Sequence, residues 1–330
     1  MPSIPTSLVG KPIGPTSLGL MGMSGIHDMP FDEANKVLEA ALELGANFWN
    51  GGIFYGTPER NSLHLLAHYF KTHPADIPKV VISIKGAYDR FTHIPDGTPE
   101  GVRAQVDLAL SVLAPAGITT LDIFECARVD PKTPIETTVG AFAELIKEGK
   151  IRGYGLSEVS PATVRRACAV LKPAAVEVEV SMFSRETLEK GGVVDVCHEL
   201  GVPVVGYGPL GKGWLTGTLK TLDDLPADDV RRHFPRFQPG AFEKNVELAN
   251  KIESLAKRKG VPVAAVAVAW VRQVAGAVPL PGASSVARVK ENMTVAELTD
   301  DEIKEIQGYL DTAEVAGHRY PPVFQGLLSG

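Results

Sequence analysis

Apolar runs of strand length alternate eight times with segments of helical periodicity along this chain. The strand-like runs lie at 17–23, 47–50, 80–85, 120–127, 151–157, 174–180, 203–208 and 277–281. The helical segments lie at about 32–44, 58–72, 98–113, 134–148, 161–171, 193–200, 262–273 and 285–293. Eight β–α units are typical of a closed parallel barrel. We therefore predict an α/β protein with a (β/α)8 TIM-barrel fold.

An open doubly wound sheet is the alternative for such an alternation. The number of units disfavours it, and so does the region after the first strand, where 19–25 hold a loose glycine cluster without a GxGxxG motif. Three segments lie outside the repeat, namely a hairpin at 8–14, an insertion at 217–240 with a helix at 241–259, and a C-terminal helix at 300–316. The insertion follows the seventh strand, so we expect either a lid over the barrel mouth or a plain surface loop.

Local signals mark several helix boundaries. Thr57-Pro58 and Ser160-Pro161 each place a hydroxyl side chain before a first-turn proline, an arrangement that favours a helix start. Three helices are predicted to end in residues that tolerate the left-handed conformation, Gly45, Gly149 and Gly201.

The composition argues against several classes of protein. The net charge is −6 and no basic run is present, which disfavours a nucleic-acid partner. We see no secretory signal, and no stretch reaches the ~18 apolar residues that a membrane-spanning helix needs. Three cysteines without CxxC spacing argue against a disulfide framework and a metal site. We expect a cytoplasmic protein that is a monomer or a weak oligomer.

Polar side chains follow several predicted strands at their carboxyl ends, which meet at one mouth of a barrel. Tyr55 lies just beyond the second strand, and Lys85 ends the third. A phenol can donate a proton to a carbonyl oxygen during reduction, and an adjacent ammonium lowers the phenol pKa from its usual ~10. Neither residue can supply a hydride, so the pair predicts carbonyl reduction with a nicotinamide cofactor.

With these residues in view, the sequence resembles the aldo-keto reductase family over nearly its whole length. Residues 45–56 are similar to the family's second-strand signature, and Lys85 is similar to its lysine. Four further segments are similar to its cofactor-binding segments and occur in the same order, 155–158, 177–181, 209–213 and 281–284. The resemblance implies NADPH bound across the mouth of a single barrel domain spanning 1–330, without a Rossmann domain.

The resemblance also implies a role for each matching residue. The expected cofactor-binding residues are Ser157, Glu158 and Glu177 at the nicotinamide carboxamide, Leu210 and Gly213 at the pyrophosphate, Gly282, Ser284 and Arg288 at the 2′-phosphate, Glu291 and Asn292 at the adenine, and Gly22, Met23, Tyr207 and Pro209 at the mouth. Arg288 would add a guanidinium to a helix N-terminus, although it also fits a solvated helix face. Glu177 stands in place of a frequent glutamine.

Two positions depart from the family pattern. Asn50 stands where the family has an aspartate that pairs with the lysine, and Ala127 stands where it has a catalytic histidine. We hypothesise that Glu125, which shares a strand face with Ala127, supplies the missing carboxylate to Lys85. The alternative is that a bulge turns Glu125 elsewhere or that it pairs with an arginine. Cys126 should face the helices as a buried, inert thiol.

Residues 47–52 and 124–130 look like those of the pyridoxal reductase branch of the family. That likeness implies reduction of pyridoxal to pyridoxine with NADPH. Two other functions stay open. One is a broad reductase of aryl and aliphatic aldehydes, and the other is a catalytically weak NADPH-binding sensor or regulatory subunit.

The expected substrate pocket combines an apolar wall with a vacated space. Ala127 leaves about the volume of an imidazole, which an aromatic aldehyde or a water could occupy. Trp49, Met23 and Phe54 could form the wall, although Trp49 fits the core equally well. The loop histidines His27 and His93 either touch the substrate or are merely solvated.

Overall fold

The computed structural model describes residues 4–25, 29–89, 92–321 and 330, in which eight parallel strands form one sheet. Their order in the sheet follows the chain, as repeated β–α units require. The strands are β1 Leu18–Gly19, β2 Phe48–Gly52, β3 Val81–Gly86, β4 Leu121–Cys126, β5 Ile151–Ser157, β6 Ala175–Glu179, β7 Val204–Tyr207 and β8 Val278–Leu280.

The first strand closes the sheet into a barrel because it bonds to both β2 and β8. Gly19 lies in register with Asn50 on one side. On the other side the Ser17 N–H donates to the Pro279 carbonyl at 3.0 Å, and the Gly19 N–H donates to the Pro281 carbonyl at 2.9 Å. The carboxyl ends of all eight strands therefore surround one mouth. The prediction of a TIM barrel is confirmed.

A helix accompanies each strand on the outside of the barrel. These helices are α1 Phe31–Glu43, α2 Ser62–Thr72, α3 Pro99–Leu113, α4 Ile135–Lys147, α5 Pro161–Val170, α6 Val193–Leu200, α7 Val263–Gln273 and α8 Val286–Asn292. The predicted Ser160 cap of α5 accepts a hydrogen bond from the Thr163 N–H. The three predicted glycine ends all have positive φ angles, Gly45 at 83°, Gly149 at 75° and Gly201 at 63°.

Two apolar clusters stabilise the barrel. The larger lies between the strands and the helices. The smaller fills the barrel interior at the amino ends of the strands, with Leu8, Phe48, Val81, Ile123, Ala175, Val205, Val278 and Leu280. The predicted hairpin, Ser7–Leu8 with Lys11–Pro12, covers that end. Polar side chains occupy the interior at the opposite end.

Two predicted boundaries were wrong. The first strand was expected over 17–23, but it ends at Gly19, and Met21–Ser24 form a helical turn. The second helix was expected from residue 58 with Thr57 as its cap. Residues Gly56–Thr57 pair instead with Arg60–Asn61 in a small hairpin, and the Asn61 side chain caps α2 by accepting from Leu63. Pairing in this hairpin overrides the local proline signal.

The insertion after β7 packs through aromatic side chains. It contains short 3-10 turns and the helix Ala241–Lys259. Trp214 is buried, with ring centroids 5.7 Å from Phe183, 4.9 Å from Phe237 and 4.7 Å from Phe242. A lid movement stays a prediction. The predicted C-terminal helix is present as Asp300–Thr312. Within the described residues, no helix has the length and apolar character to cross a membrane.

Candidate active site

Tyr55 and Lys85 lie together at the mouth of the barrel. The Lys85 ammonium is 5.8 Å from the centroid of the Tyr55 ring. Two glycines leave room for this tyrosine. A Cβ atom added at Gly52 would lie 3.1 Å from Tyr55 Cγ, and one added at Gly25 would lie 3.1 Å from its Cα atom. Small residues on both sides thus allow the phenol to sit close to the strand ends.

The Lys85 side chain ends in a buried polar cluster. Its ammonium forms an ion pair with Glu177 of β6 and donates to Asn50 Oδ1 at 3.1 Å. Asn50 Nδ2 in turn donates to Glu177 Oε2 at 2.9 Å and to Glu125 Oε2 at 3.2 Å. Ser83 Oγ donates to the same Glu125 oxygen at 3.2 Å. The cluster therefore holds one ammonium, one amide, one hydroxyl and two carboxyl groups.

Electrostatics in this cluster favour a charged lysine. Burial opposes the ammonium, but Glu177, Tyr55 and Glu125 together raise the pKa of Lys85 well above its ordinary value. Burial and the neighbouring Glu125 carboxylate raise the pKa of Glu177 above its ordinary value, although contact with the Lys85 ammonium opposes that rise. The contact between the Lys85 ammonium and Glu177 favours the charged form of each group.

The expected effect of Lys85 on Tyr55 is only partly right. Lys85 does act to lower the phenol pKa, but burial raises it more strongly, and Glu177 and Glu125 add to that rise. The net pKa of Tyr55 is therefore above its ordinary value. Removal from water disfavours the phenolate more than one partly neutralised ammonium favours it. Tyr55 is a neutral phenol at physiological pH.

Glu125 faces the interior as hypothesised and lies within ion-pair distance of Lys85, but the shorter contact of Lys85 is with Glu177. Glu125 faces the barrel interior, where a Cβ atom at Gly155 would lie 3.0 Å from its Cγ. Its nearer oxygen is 3.9 Å from the Lys85 ammonium, whereas Glu177 is in direct contact. Cys126 lies in the outer cluster as expected, and burial raises the pKa of its thiol to about 12.

A second polar cluster lines the mouth beside β5, β6 and β7. Glu158 accepts from the Tyr207 hydroxyl at 2.9 Å and forms an ion pair with Arg319 at 2.8 Å. Glu179 pairs with Lys212 at 2.7 Å and lies 3.5 Å from Arg319. Burial opposes ionisation of Glu158, but Arg319 and the Tyr207 hydroxyl lower its pKa below the ordinary value.

Sequence reasoning missed much of this cluster. Strand periodicity does place Glu179 at the mouth, because it lies two residues after Glu177 on β6 and faces the same way. Lys212 lies in a glycine-rich turn, and Arg319 follows the last helix without any periodic signal. The Tyr320 hydroxyl lies 3.2 Å from the Tyr207 hydroxyl, and the Lys212 ammonium is 4.4 Å from the Tyr320 ring centroid. The segment after the last helix therefore forms part of the mouth.

The predicted substrate pocket is assembled only in part. Phe54 is at the mouth, with its ring centroid 4.9 Å from that of Tyr55. Ala127 is buried where β4 ends, and its N–H donates to the Gly86 carbonyl at 3.0 Å. His93 is at the exposed rim, 2.9 Å from the Tyr88 hydroxyl. The prediction for His27 falls outside the described residues.

Two residues predicted at the mouth are in the core instead. Trp49 is fully buried among the helices, 5.2 Å from Tyr69 by ring centroids, and its indole N–H donates to the Ala46 carbonyl. Side chains alternate along a strand, so an inward Asn50 requires an outward Trp49. Met23 is likewise fully buried in the larger apolar cluster, between the strands and the helices. It lies on the buried side of the helical turn that replaces the end of the first strand.

The other predicted cofactor residues lie around the same mouth. Ser157 is the last residue of β5 and Glu158 follows it, Glu177 lies within β6, and Tyr207 ends β7. The next turn carries Pro209, Leu210 and Gly213, and Gly213 has a φ of 105°. At the β8 side, Gly22 neighbours Ala283, and the Asn292 side chain donates to the Gly282 carbonyl at 3.2 Å. Ser284 is half-buried, whereas Arg288 and Glu291 are exposed.

This arrangement fits a phosphorylated nicotinamide nucleotide. The exposed Arg288 guanidinium and the nearby Ser284 hydroxyl suit a phosphate group at one end. The buried polar ends of β5 and β6 offer hydrogen-bonding groups at the other end. The described residues contain no group of three or more metal-ligating side chains.

Comparisons with known proteins agree with this geometry. The sequence profile of the aldo/keto reductase family matches residues 16–311. The chain is 38% identical to "Probable pyridoxal reductase 2" of Schizosaccharomyces pombe, an alignment that covers 97% of this chain and 98% of that protein. It is 36% identical to the NADP(+) aldo-keto reductase yakc of the same organism, with 97% and 95% covered.

A solved structure supports the same assignment. The glycerol dehydrogenase of Gluconobacter oxydans superposes with a TM-score of 0.83 at 25% identity and covers 97% of each chain. The family match spans most of the sequence, and the two yeast relatives align over nearly their whole lengths. This chain belongs to the aldo/keto reductase family of oxidoreductases.

Proposed function

We propose that this protein is an NADPH-dependent aldehyde reductase that converts pyridoxal into pyridoxine, with Tyr55 as the proton donor. The observation that carries the proposal is the neutral phenol of Tyr55 beside the charged Lys85 cluster, at the mouth of the barrel. A phenol that is still protonated when the substrate binds can donate its proton to the carbonyl oxygen and so act as a general acid.

The reaction adds a hydride and a proton to an aldehyde. Bound NADPH would supply the hydride to the carbonyl carbon. The Tyr55 O–H proton passes to the carbonyl oxygen, which completes the primary alcohol. The Lys85 ammonium stabilises the phenolate that remains, and solvent then returns a proton to Tyr55. In the ground state Lys85 is held in place by Glu177 and Asn50.

Binding of NADPH is assigned to residues along one side of the mouth. Ser157 and Glu158 would orient the nicotinamide carboxamide, and Gly213 would allow close approach of the pyrophosphate. Arg288 and Ser284 support NADPH over NADH, because a guanidinium beside a hydroxyl is a strong partner for a 2′-phosphate. The relative named as an NADP(+) enzyme supports the same choice.

Pyridoxal as the substrate is supported by the likeness to a probable pyridoxal reductase. Two features of the mouth agree with it. Ala127 is small, which suits a ring substituted beside its aldehyde group. The adjacent Arg128 is half-buried, and charge interactions with groups at the mouth raise the pKa of its guanidinium, in the order Tyr207, Glu158, Tyr320 and Tyr55. A cation at this point would favour an aldehyde whose neighbouring hydroxyl is ionised, as in pyridoxal.

The decisive experiment follows NADPH consumption with pyridoxal in the wild type and in Tyr55→Phe. We expect turnover in the wild type and a loss of ~10²-fold or more in kcat in the variant. Tyr309→Phe, the same chemical change on the C-terminal helix, is the matched control and should retain activity.

The same assay separates the alternatives. Comparable kcat/KM values for pyridoxal, benzaldehyde and aliphatic aldehydes would indicate a broad aldehyde reductase. Tight NADPH binding with no turnover on any of these aldehydes would refute the reductase and indicate a sensor or regulatory subunit.

A further inference from the structure

Lys85 makes its direct ion pair with a residue across the barrel and not with one on the neighbouring strand β4. In the sheet register Lys85 of β3 lies directly beside Glu125 of β4. Its ammonium nevertheless makes its direct ion pair with Glu177 of β6 and stands 3.9 Å from Glu125. Asn50 of β2 bridges the pair, because its Oδ1 accepts from Lys85 at 3.1 Å and its Nδ2 donates to Glu177 at 2.9 Å.

The two carboxyl groups are held by different kinds of donor. Glu125 Oε2 accepts from the neutral groups of Ser83 and Asn50, and its Oε1 has no hydrogen-bond partner among the described residues. Glu177 instead binds the ammonium through one oxygen and the amide through the other. A carboxylate in contact stabilises a buried ammonium, because it offsets part of the cost of removing the charge from water. Lys85 is only 6% exposed and Glu177 only 1%.

We propose that Glu177 is the positioning residue that fixes the Lys85 ammonium beside Tyr55, with Asn50 as the amide that clamps the ion pair. This inference rests on the proposed reductase function, since it concerns how Tyr55, the proposed proton donor, is kept protonated. Glu177 acts through Lys85 and does not itself exchange a proton with the substrate. Its negative charge neutralises the ammonium, so that Tyr55 stays protonated between turnovers.

Moving the carboxylate from position 177 to position 50 tests this role of Glu177. Glu177→Gln removes the carboxylate with almost no change in shape, and Asn50→Asp restores one on the other side of Lys85. Position 50 already touches the ammonium at 3.1 Å, so the restored carboxylate needs no rearrangement to pair with it. The double variant Asn50→Asp/Glu177→Gln has the same net charge as the wild type. Glu125→Gln is the matched control for losing one carboxyl group from the same cluster.

The experiment uses two readouts, the pH profile of kcat and the titration of Tyr55 followed by NMR of tyrosine labelled with 13C at Cζ. The Tyr55 signal is identified by its loss in Tyr55→Phe. In Glu177→Gln the unneutralised Lys85 should lower the Tyr55 pKa and shift the pH profile towards acid, with kcat at neutral pH falling ~10²-fold. The double variant should return both readouts towards the wild type, to within about tenfold in kcat. Glu125→Gln should move the Tyr55 pKa less than Glu177→Gln does.

Two results would overturn the inference. One is an equal change of the Tyr55 titration in Glu177→Gln and Glu125→Gln. The other is a folded double variant, with the wild-type circular dichroism spectrum, whose Tyr55 titration stays where the Glu177→Gln variant has it. The NMR readout needs no turnover. A wild type without aldehyde reductase activity would therefore refute the proposed function, while the titrations would still decide the role of Glu177.

Discussion

Replacement of Arg319 by methionine should destabilise the protein in a pH-dependent way. Arg319 contacts two buried carboxylates, at 2.8 Å from Glu158 and 3.5 Å from Glu179. Without the guanidinium, Glu179 keeps Lys212 at 2.7 Å, but Glu158 keeps only neutral donors such as the Tyr207 hydroxyl. Glu158 would then be a buried carboxylate without a cation in contact. Breaking a buried ion pair in this way costs about 3 kcal/mol, the lower end of the usual range, because hydrogen bonds remain.

The pH dependence follows from the lowered pKa of Glu158. A carboxyl group with a lowered pKa in the folded state contributes stability above its unfolded pKa of about 4.3, and that stability is lost as the pH falls through the folded pKa. In Arg319→Met the same carboxyl group takes up a proton more readily. The difference in free energy of unfolding between the two proteins should therefore be full near neutral pH and shrink as the pH falls towards and below about 4.3.

Urea unfolding followed by tryptophan fluorescence at neutral and acid pH measures this difference. Arg103→Met is the matched control, because Arg103 makes a bidentate pair with Glu148 at 2.6 Å on the exposed surface. An exposed pair of this kind contributes little to stability, because water and salt screen both charges, so its removal should have little effect at either pH. A loss in Arg319→Met no larger than that of the control, or one of equal size at both pH values, would refute the reasoning.

Three further outcomes are expected. Gly52→Ala should lower kcat by ~10²-fold with little change in NADPH affinity, because the added Cβ atom would lie 3.1 Å from Tyr55 Cγ and displace the phenol. Gly140→Ala, where the added carbon meets no neighbouring residue within 4 Å, should leave kcat unchanged. Arg288→Ala should raise the Kd for NADPH, measured by fluorescence titration, and leave the Kd for NADH unchanged; equal changes for both cofactors would contradict a 2′-phosphate contact. Trp214→Ala should cost about 4 kcal/mol in urea unfolding, since it removes a buried aromatic side chain, and a loss below about 1 kcal/mol would contradict the described packing.

The barrel and the pairing of Tyr55 with Lys85 could be predicted because both depend on local patterns. Alternating apolar runs determine the order of elements, and the end of each strand places its polar residue at the mouth. Side-chain alternation also predicted that Glu125 faces inward. The same rule, applied to Asn50, would have decided between the two positions considered for Trp49 and placed it among the helices.

The ion pair of Lys85 could not be obtained in the same way. Strand register puts Glu125 next to Lys85, and a prediction from neighbouring strands stops there. A lysine side chain is long enough to reach across the barrel, and its choice of partner depends on where the other donors in the interior lie. Ser83 and Asn50 bind one oxygen of Glu125, whose other oxygen stays 3.9 Å from the ammonium, while Glu177 makes the direct contact. The role of Arg319 could not be predicted for another reason. The residues after the last helix show no periodic pattern from which their position could be inferred.

The ion pair across the barrel also has a consequence for the order in which the protein folds during synthesis. Lys85 and Glu177 are 92 residues apart in the chain. At a synthesis rate of ~5–20 residues per second, Lys85 emerges roughly 5–20 seconds before its partner. A nascent chain that ends before β6 would have to bury the Lys85 ammonium without the Glu177 carboxylate. Early packing of β1–β4 around this lysine would therefore add little stability. We expect the strand ends around Lys85 to remain accessible to protease on the ribosome at least until the sixth strand has emerged. The barrel closes around a neutralised lysine once β8 has followed and bonded to β1.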